Sequence, residues 1–105
     1  MALRLEGDGW RVLARNWRRP AGELDLVVQR GGQVRFVEVK ARAEGDPSAL
    51  DAVDREKQRR LTGAAEAFLA EHDGPWEEAA FLVAEVVLGE GGWEISLLDD
   101  AFDAV

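Results

Sequence analysis

The chain has no cysteine, and its single histidine is His72. Disulfides, thiolate catalysis and cysteine-bound zinc are thereby excluded. His72 falls near the end of a helical pattern, just before Asp73-Gly74-Pro75, and reads as a surface residue at a helix terminus rather than a ligand. No apolar run approaches the ~18 residues that a membrane span needs, and the N-terminus lacks the apolar core of a signal peptide. The expectation is a cytoplasmic protein that does not contact membranes. Basic residues also stop early. All 13 Lys and Arg lie in residues 1–60, against 10 acids, a balance of +3, whereas residues 61–105 carry 11 acids and a balance of −11. The total of −8 therefore conceals two halves of opposite character. Such a split is compatible with a basic surface for nucleic acid built by the first half. The acidic second half would either solubilise the molecule or serve as an interface for a protein partner or a homodimer.

What is present fits one globular domain spanning residues 1–105, with 47% hydrophobic and 32% charged residues. Its centre is the stretch Gly22 to Lys40, in which two runs rich in Val, Leu and Phe flank Gly31-Gly32. That pattern predicts a β-hairpin closed by a tight turn needing positive φ. Facing residues then have numbers summing to 63, which puts Asp25 opposite Glu38 and Glu23 opposite Lys40. Strict alternation places these four on one face with Val27, Val34 and Phe36, and Leu24, Leu26, Val28, Val37 and Val39 on the other. Two apolar faces indicate a central strand pair covered on both sides. Carboxylates opposed at about 5 Å repel by roughly 3 kcal/mol at an effective dielectric of about 20. A divalent cation would remove that repulsion, and an oxygen-only site suits Mg²⁺ or Mn²⁺. The alternative is a solvated charge cluster in which Lys40 neutralises Glu38 or Glu23.

Around this hairpin, Ala2 to Asp8 reads as a short helix ending at glycine, and Trp10 to Trp17 as a first strand. Asn16-Trp17-Arg18-Arg19 interleaves bases with an aromatic ring, a pattern suited to tracking phosphates, although a tryptophan ending a strand commonly packs in the core. A loop is expected over Ala41 to Ser48, followed by a long helix from about Ala49 or Asp54 to His72. Arg55, Lys57, Gln58, Arg59 and Arg60 crowd the start of that helix, and some would reach the carboxylates if it packs on the sheet. Ala79 to Leu88 and Trp93 to Leu98 read as a fourth strand and an edge partner, and Asp99 as the cap of a short last helix through Phe102.

The order helix, three strands, helix, strand, with Asp on the second strand and Glu-x-Lys on the third, resembles the restriction-endonuclease-like PD-(D/E)xK superfamily. More closely, Arg15-Asn16-Trp17-Arg18, Gly22-Glu23-Leu24-Asp25-Leu26, Phe36-Val37-Glu38-Val39-Lys40 with Arg42, and Ala52-Val53 followed by Lys57-Gln58 and Leu61 resemble the YraN family. These are small bacterial proteins placed in that superfamily near the Holliday-junction resolvases. The resemblance implies an α/β fold with an αβββαβ core, a mixed sheet of about five strands and helices on both faces. It implies Asp25 and Glu38 as ligands of Mg²⁺ or Mn²⁺, Lys40 as the third catalytic residue, and Glu23, Lys57 and Gln58 as supports. It implies phosphodiester hydrolysis on DNA, with branched or damaged DNA as candidate substrates and Arg15, Arg18, Arg19 and Arg42 holding the nucleic acid. The alternative is a weakly active or inactive domain that binds nucleic acid or acts as a protein adaptor. Two departures stand out: the Gly-Glu pair of the family's first helix would precede Met1, and the family's Arg-Phe-Asp is Ala80-Phe81-Leu82 here. They lower the activity expected, to slow and Mn²⁺-favoured cleavage or none.

Overall fold

The computed structural model describes residues 1–43, 45, 55–72, 74 and 76–99. Gly31-Gly32 closes the expected hairpin, with Gly31 at φ 60°. Strands β2 (Gly22–Arg30) and β3 (Gln33–Ala43) pair antiparallel from Arg30↔Gln33 to Leu26↔Val37, in the predicted register. β1 (Arg11–Arg19) lies outside β2, while β4 (Glu78–Gly89) pairs parallel with β3 and carries β5 (Gly92–Asp99) at the far edge. The result is a mixed five-stranded sheet of order β1-β2-β3-β4-β5. Parallel neighbours need a crossover, and α2 (Arg55–Glu71) lies between β3 and β4 in the chain.

Each face of the sheet acquires its own core. On one face, Leu61, Ala64, Ala65 and Phe68 of α2, spaced as one stripe of a helix, pack on Leu24, Val27, Val34, Phe36 and Phe81. Phe36 meets Phe68 at 5.9 Å and Phe81 at 5.6 Å between ring centroids. On the other face, α1 (Ala2–Gly7) inserts Leu5 among Trp10, Leu26, Val28, Val37, Leu82 and Ala84. Helices on both faces of an α/β sheet are thus observed.

The alternation assumed for β2 fails at one point. Leu24 belongs to the α2 face with Val27, whereas Leu26 and Val28 belong to the α1 face. The periodicity therefore breaks at Asp25. On β1 the register shifts earlier, between Val12 and Ala14, and holds from Arg15↔Leu26 to Trp17↔Leu24, but the intervening Asn16 has a left-handed φ of 48°. A matched irregularity in both strands turns Trp17 and Leu24 together toward α2. Two further expectations change. β3 continues through Ala43 before the expected loop, and β5 includes Asp99 as a strand residue. The proposed start of the long helix, and the last helix through Phe102, lie outside the described residues.

Candidate functional site: a charged fork between two strands

Beyond Leu26↔Val37 the β2–β3 ladder stops, one pair short of Asp25 and Glu38. The strands fork there, and the Asp25 side chain takes over a main-chain role: the Val39 N–H donates to Asp25 Oδ2 at 2.8 Å. Glu38 occupies the neighbouring position on β3 and is only 8% exposed. Its Oε1 receives two ammonium groups, Lys40 Nζ at 3.2 Å and Lys57 Nζ at 2.8 Å. Lys57 is the residue by which α2 enters the site.

That contact depends on close approach of α2 to the start of β2. A Cβ added at Gly22 would sit 2.5 Å from the Arg60 carbonyl oxygen. Only glycine permits this approach, and Lys57 lies one turn before Arg60.

Burial pushes the Asp25 carboxyl above the usual aspartate range; the Val39 amide opposes the shift, and the negative charges of Glu38 and Glu23 add to it. For Lys57 burial works toward a lower value, but hydrogen bonding and attraction to Glu38 prevail and hold its ammonium above the usual lysine value. The fork therefore contains an Asp25 carboxyl raised first by burial and then by repulsion from Glu38, beside two cations gathered on Glu38.

The fork opens on the α2 side into a cleft of about 510 Å³ lined by Asp25, Glu38, Glu23, Lys57, Arg18, Arg19 and Arg60, among others. Of the supporting residues, Glu23 is not opposite Lys40. It faces Arg18 across the β1–β2 ladder and pairs with it at 2.8 Å, because the fork separates this part of β2 from β3. Gln58 is half-buried on α2 and does not line the cleft. The arginines divide. Arg18 and Arg19 line this cleft, with Arg19 also held by Glu71 at 2.6 Å. Arg15 lies on the α1 side, in a second cleft, and Arg42 is drawn away to Glu85 of β4. Trp17 is not a free platform for bases: its ring meets the edge of Phe68 at 5.4 Å, and the Arg19 guanidinium covers it at 4.1 Å. His72 stacks on Phe68 with 4.0 Å between centroids, away from the fork.

Oxygen donors are available for a cation from Asp25 and Glu38, with no soft ligand nearby. Among the described residues no group of three His, Cys, Asp or Glu side chains is close enough to enclose an ion. Such a donor set fits Mg²⁺ or Mn²⁺, which keep waters and accept substrate phosphate oxygens alongside one or two carboxylates. Sequence reasoning missed the fork itself and the role of Asn16; the only local signal was an asparagine, a residue that tolerates left-handed backbone.

The mixed sheet, its order, and the helices on its two faces define an α/β protein with a restriction-endonuclease-like core. Comparison with known sequences then places it: the chain belongs to the YraN family, described as "Uncharacterised protein family UPF0102", whose model matches residues 1–99. It is 42% identical over 99 residues to a UPF0102 protein of Halorhodospira halophila, covering 93% of this chain and 76% of that one. It is also 42% identical over 103 residues to one of Pseudomonas entomophila, covering 94% and 83% respectively. A Synechococcus relative is 53% identical over 70 residues, or 65% of this chain, and there the match spans about half (53%) of the relative's length. Among the described residues no helix is long and apolar enough to cross a membrane.

Proposed function

We propose that the protein is a metal-dependent nuclease acting on DNA by phosphodiester hydrolysis. The observation that carries this reading is the convergence of Asp25, Glu38 and Lys57 on one cleft rimmed by Arg18, Arg19 and Arg60, with Lys40 paired to Glu38. A bound Mg²⁺ or Mn²⁺ would supply Lewis-acid stabilisation and lower the pKa of a bound water. The protein's own groups do the rest. Asp25 and Glu38 offer the oxygen ligands. Lys40 places a positive charge beside the developing charge of the phosphate. Arg18 and Arg60 hold the phosphates that flank the scissile one, and Lys57 keeps Glu38 in place. UPF0102 membership supports a nuclease-like fold. A second reading, nucleic-acid binding without hydrolysis, is favoured by the two lysines that already neutralise Glu38.

The deciding experiment is incubation of branched and single-stranded DNA with the protein in Mn²⁺. Slow cleavage is expected, abolished in Lys40→Ala while circular dichroism and melting stay near wild type. Cleavage that persists undiminished in Lys40→Ala would refute the mechanism, and binding without any cleavage would establish the second reading.

A further inference from the structure

Asp25 lines two clefts, not one. On the α1 side of the fork a second opening of about 400 Å³ is bounded by Arg15, Asn16, Leu26, Val39 and Ala2 together with Asp25. Its size is within the range of small-molecule sites, about 300–1,000 Å³. Its chemistry differs from that of the first cleft, where the four cations Arg18, Arg19, Lys57 and Arg60 stand among the carboxylates of Glu23, Asp25 and Glu38. The second has one arginine, an amide, a carboxylate and apolar walls. Phosphates suit the first composition; a nucleobase, with apolar faces and a hydrogen-bonding edge, suits the second.

Asn16 supplies the sharpest observation. It holds a left-handed backbone at φ 48° inside a strand pair, a conformation glycine would adopt with less strain. Among the described residues its amide makes no hydrogen bond, and the residue is exposed at the cleft. An asparagine amide can donate to and accept from one base edge at once. Arg15 beside it is loosely tied, 3.9 Å from Glu6 with both side chains about half exposed, so its guanidinium plane is available for stacking at small cost.

We infer that this α1-side cleft receives an unpaired nucleobase from the strand whose phosphate lies at Asp25 and Glu38; the inference rests on the nuclease reading above. The two clefts lie on opposite faces of the sheet and meet only at the fork. A strand occupying both must bend across Asp25, and a base reaches the second cleft only when splayed out of a duplex. The substrate class is therefore DNA with an unpaired nucleotide next to the scissile phosphate, as at a branch, a gap or a single-stranded end.

The test measures fluorescence anisotropy of a labelled single-stranded DNA oligonucleotide at low salt without divalent cation, intact or with an abasic site at successive positions. Wild type should bind the intact strand about five- to tenfold more tightly than the strand lacking the critical base. Asn16→Gly, which keeps the backbone kink, should lose most of that preference while melting at the same temperature or higher. Arg15→Ala should lose part of it. A purely structural Asn16 would leave the abasic penalty unchanged in Asn16→Gly, and that result overturns the inference while leaving the nuclease reading intact. So does tighter binding of a blunt duplex than of the single strand. Wild type that binds no DNA at all, with Mn²⁺ present as well as without it, overturns both.

Discussion

Replacing Asp25 by asparagine should make the protein more stable without metal and less stable with it. In metal-free buffer the Asp25 carboxyl is half-buried beside Glu38, and burial first, then the charge of Glu38, raises its pKa. A group whose folded pKa lies above its unfolded value contributes stability below the unfolded value, and that contribution is lost as pH rises through the folded one. Wherever Asp25 is ionised, wild type therefore lacks a stabilisation that a neutral amide at this position would retain. Against this, the hydrogen bond from the Val39 N–H at 2.8 Å becomes a neutral one, a loss of about 0.5–1 kcal/mol, and the attraction to Lys57 disappears. The net gain for Asp25→Asn is expected to be between zero and about 1 kcal/mol at pH 7.5, shrinking at a lower pH as wild-type Asp25 protonates. Mn²⁺ reverses the order. With a dissociation constant on the order of 1 mM, 10 mM (about ten times that constant) stabilises wild type by about 1.4 kcal/mol, and the variant by much less. Urea unfolding at both pH values, with and without Mn²⁺, reads all four quantities. An Asp25→Asn protein more than about 1 kcal/mol less stable than wild type in metal-free buffer, or an equal Mn²⁺ shift in both proteins, would refute the reasoning.

Two other perturbations bear on the arginine rim and the helix. Charge reversal of Arg18 and Arg19 together should weaken DNA binding and lower the slope of log K against log salt by about two, since each lost phosphate contact removes about one; unchanged binding would remove these residues from the interface. Gly22→Ala should cost about 1–3 kcal/mol, because the new methyl collides with the Arg60 carbonyl, and should lower cleavage beyond that, because α2 must retreat and carry Lys57 away from Glu38. Thermal melts and initial rates separate the two effects, and a Gly22→Ala protein with wild-type stability would show that the close approach is dispensable.

The hairpin was legible because its determinants are local: two glycines at the turn and a period of two on either side fix the register from Arg30↔Gln33 to Leu26↔Val37. The fork was not, since alternation predicts only that a strand continues. Where it ends, Asp25 turns its side chain to the Val39 N–H and Asn16, between Arg15 and Trp17 on the adjacent strand, takes a left-handed backbone, a relation between residues nine positions apart that no single run displays. The buried Arg35 escaped for a similar reason. On its own strand it reads as an ordinary polar position, but Asp99 at 2.6 Å and Glu78 at 2.9 Å arrive from β5 and β4 to satisfy it at 3% exposure. The acidic second half is thus partly taken up by the first half's arginines, at Arg19, Arg35 and Arg42. Among the basic residues opening α2, helix phase relative to the sheet selects Lys57 and Arg60 for the cleft, and a sequence does not reveal that phase.

The position of α2 after the hairpin also sets an order of events during synthesis. The β2–β3 hairpin is local and can close within about 1–10 μs of leaving the ribosome. Lys57 follows Glu38 by 19 residues, on the order of a second or more of translation. The helix that bears it can dock on Leu24, Val27, Val34 and Phe36 only once its own stripe from Leu61 to Phe68 has been made. For that interval the nascent hairpin holds Asp25 and Glu38 together with Lys40 but without Lys57. Charge balance at the fork is thus a late step of folding, and a divalent ion present during translation would meet the two carboxylates before the helix does.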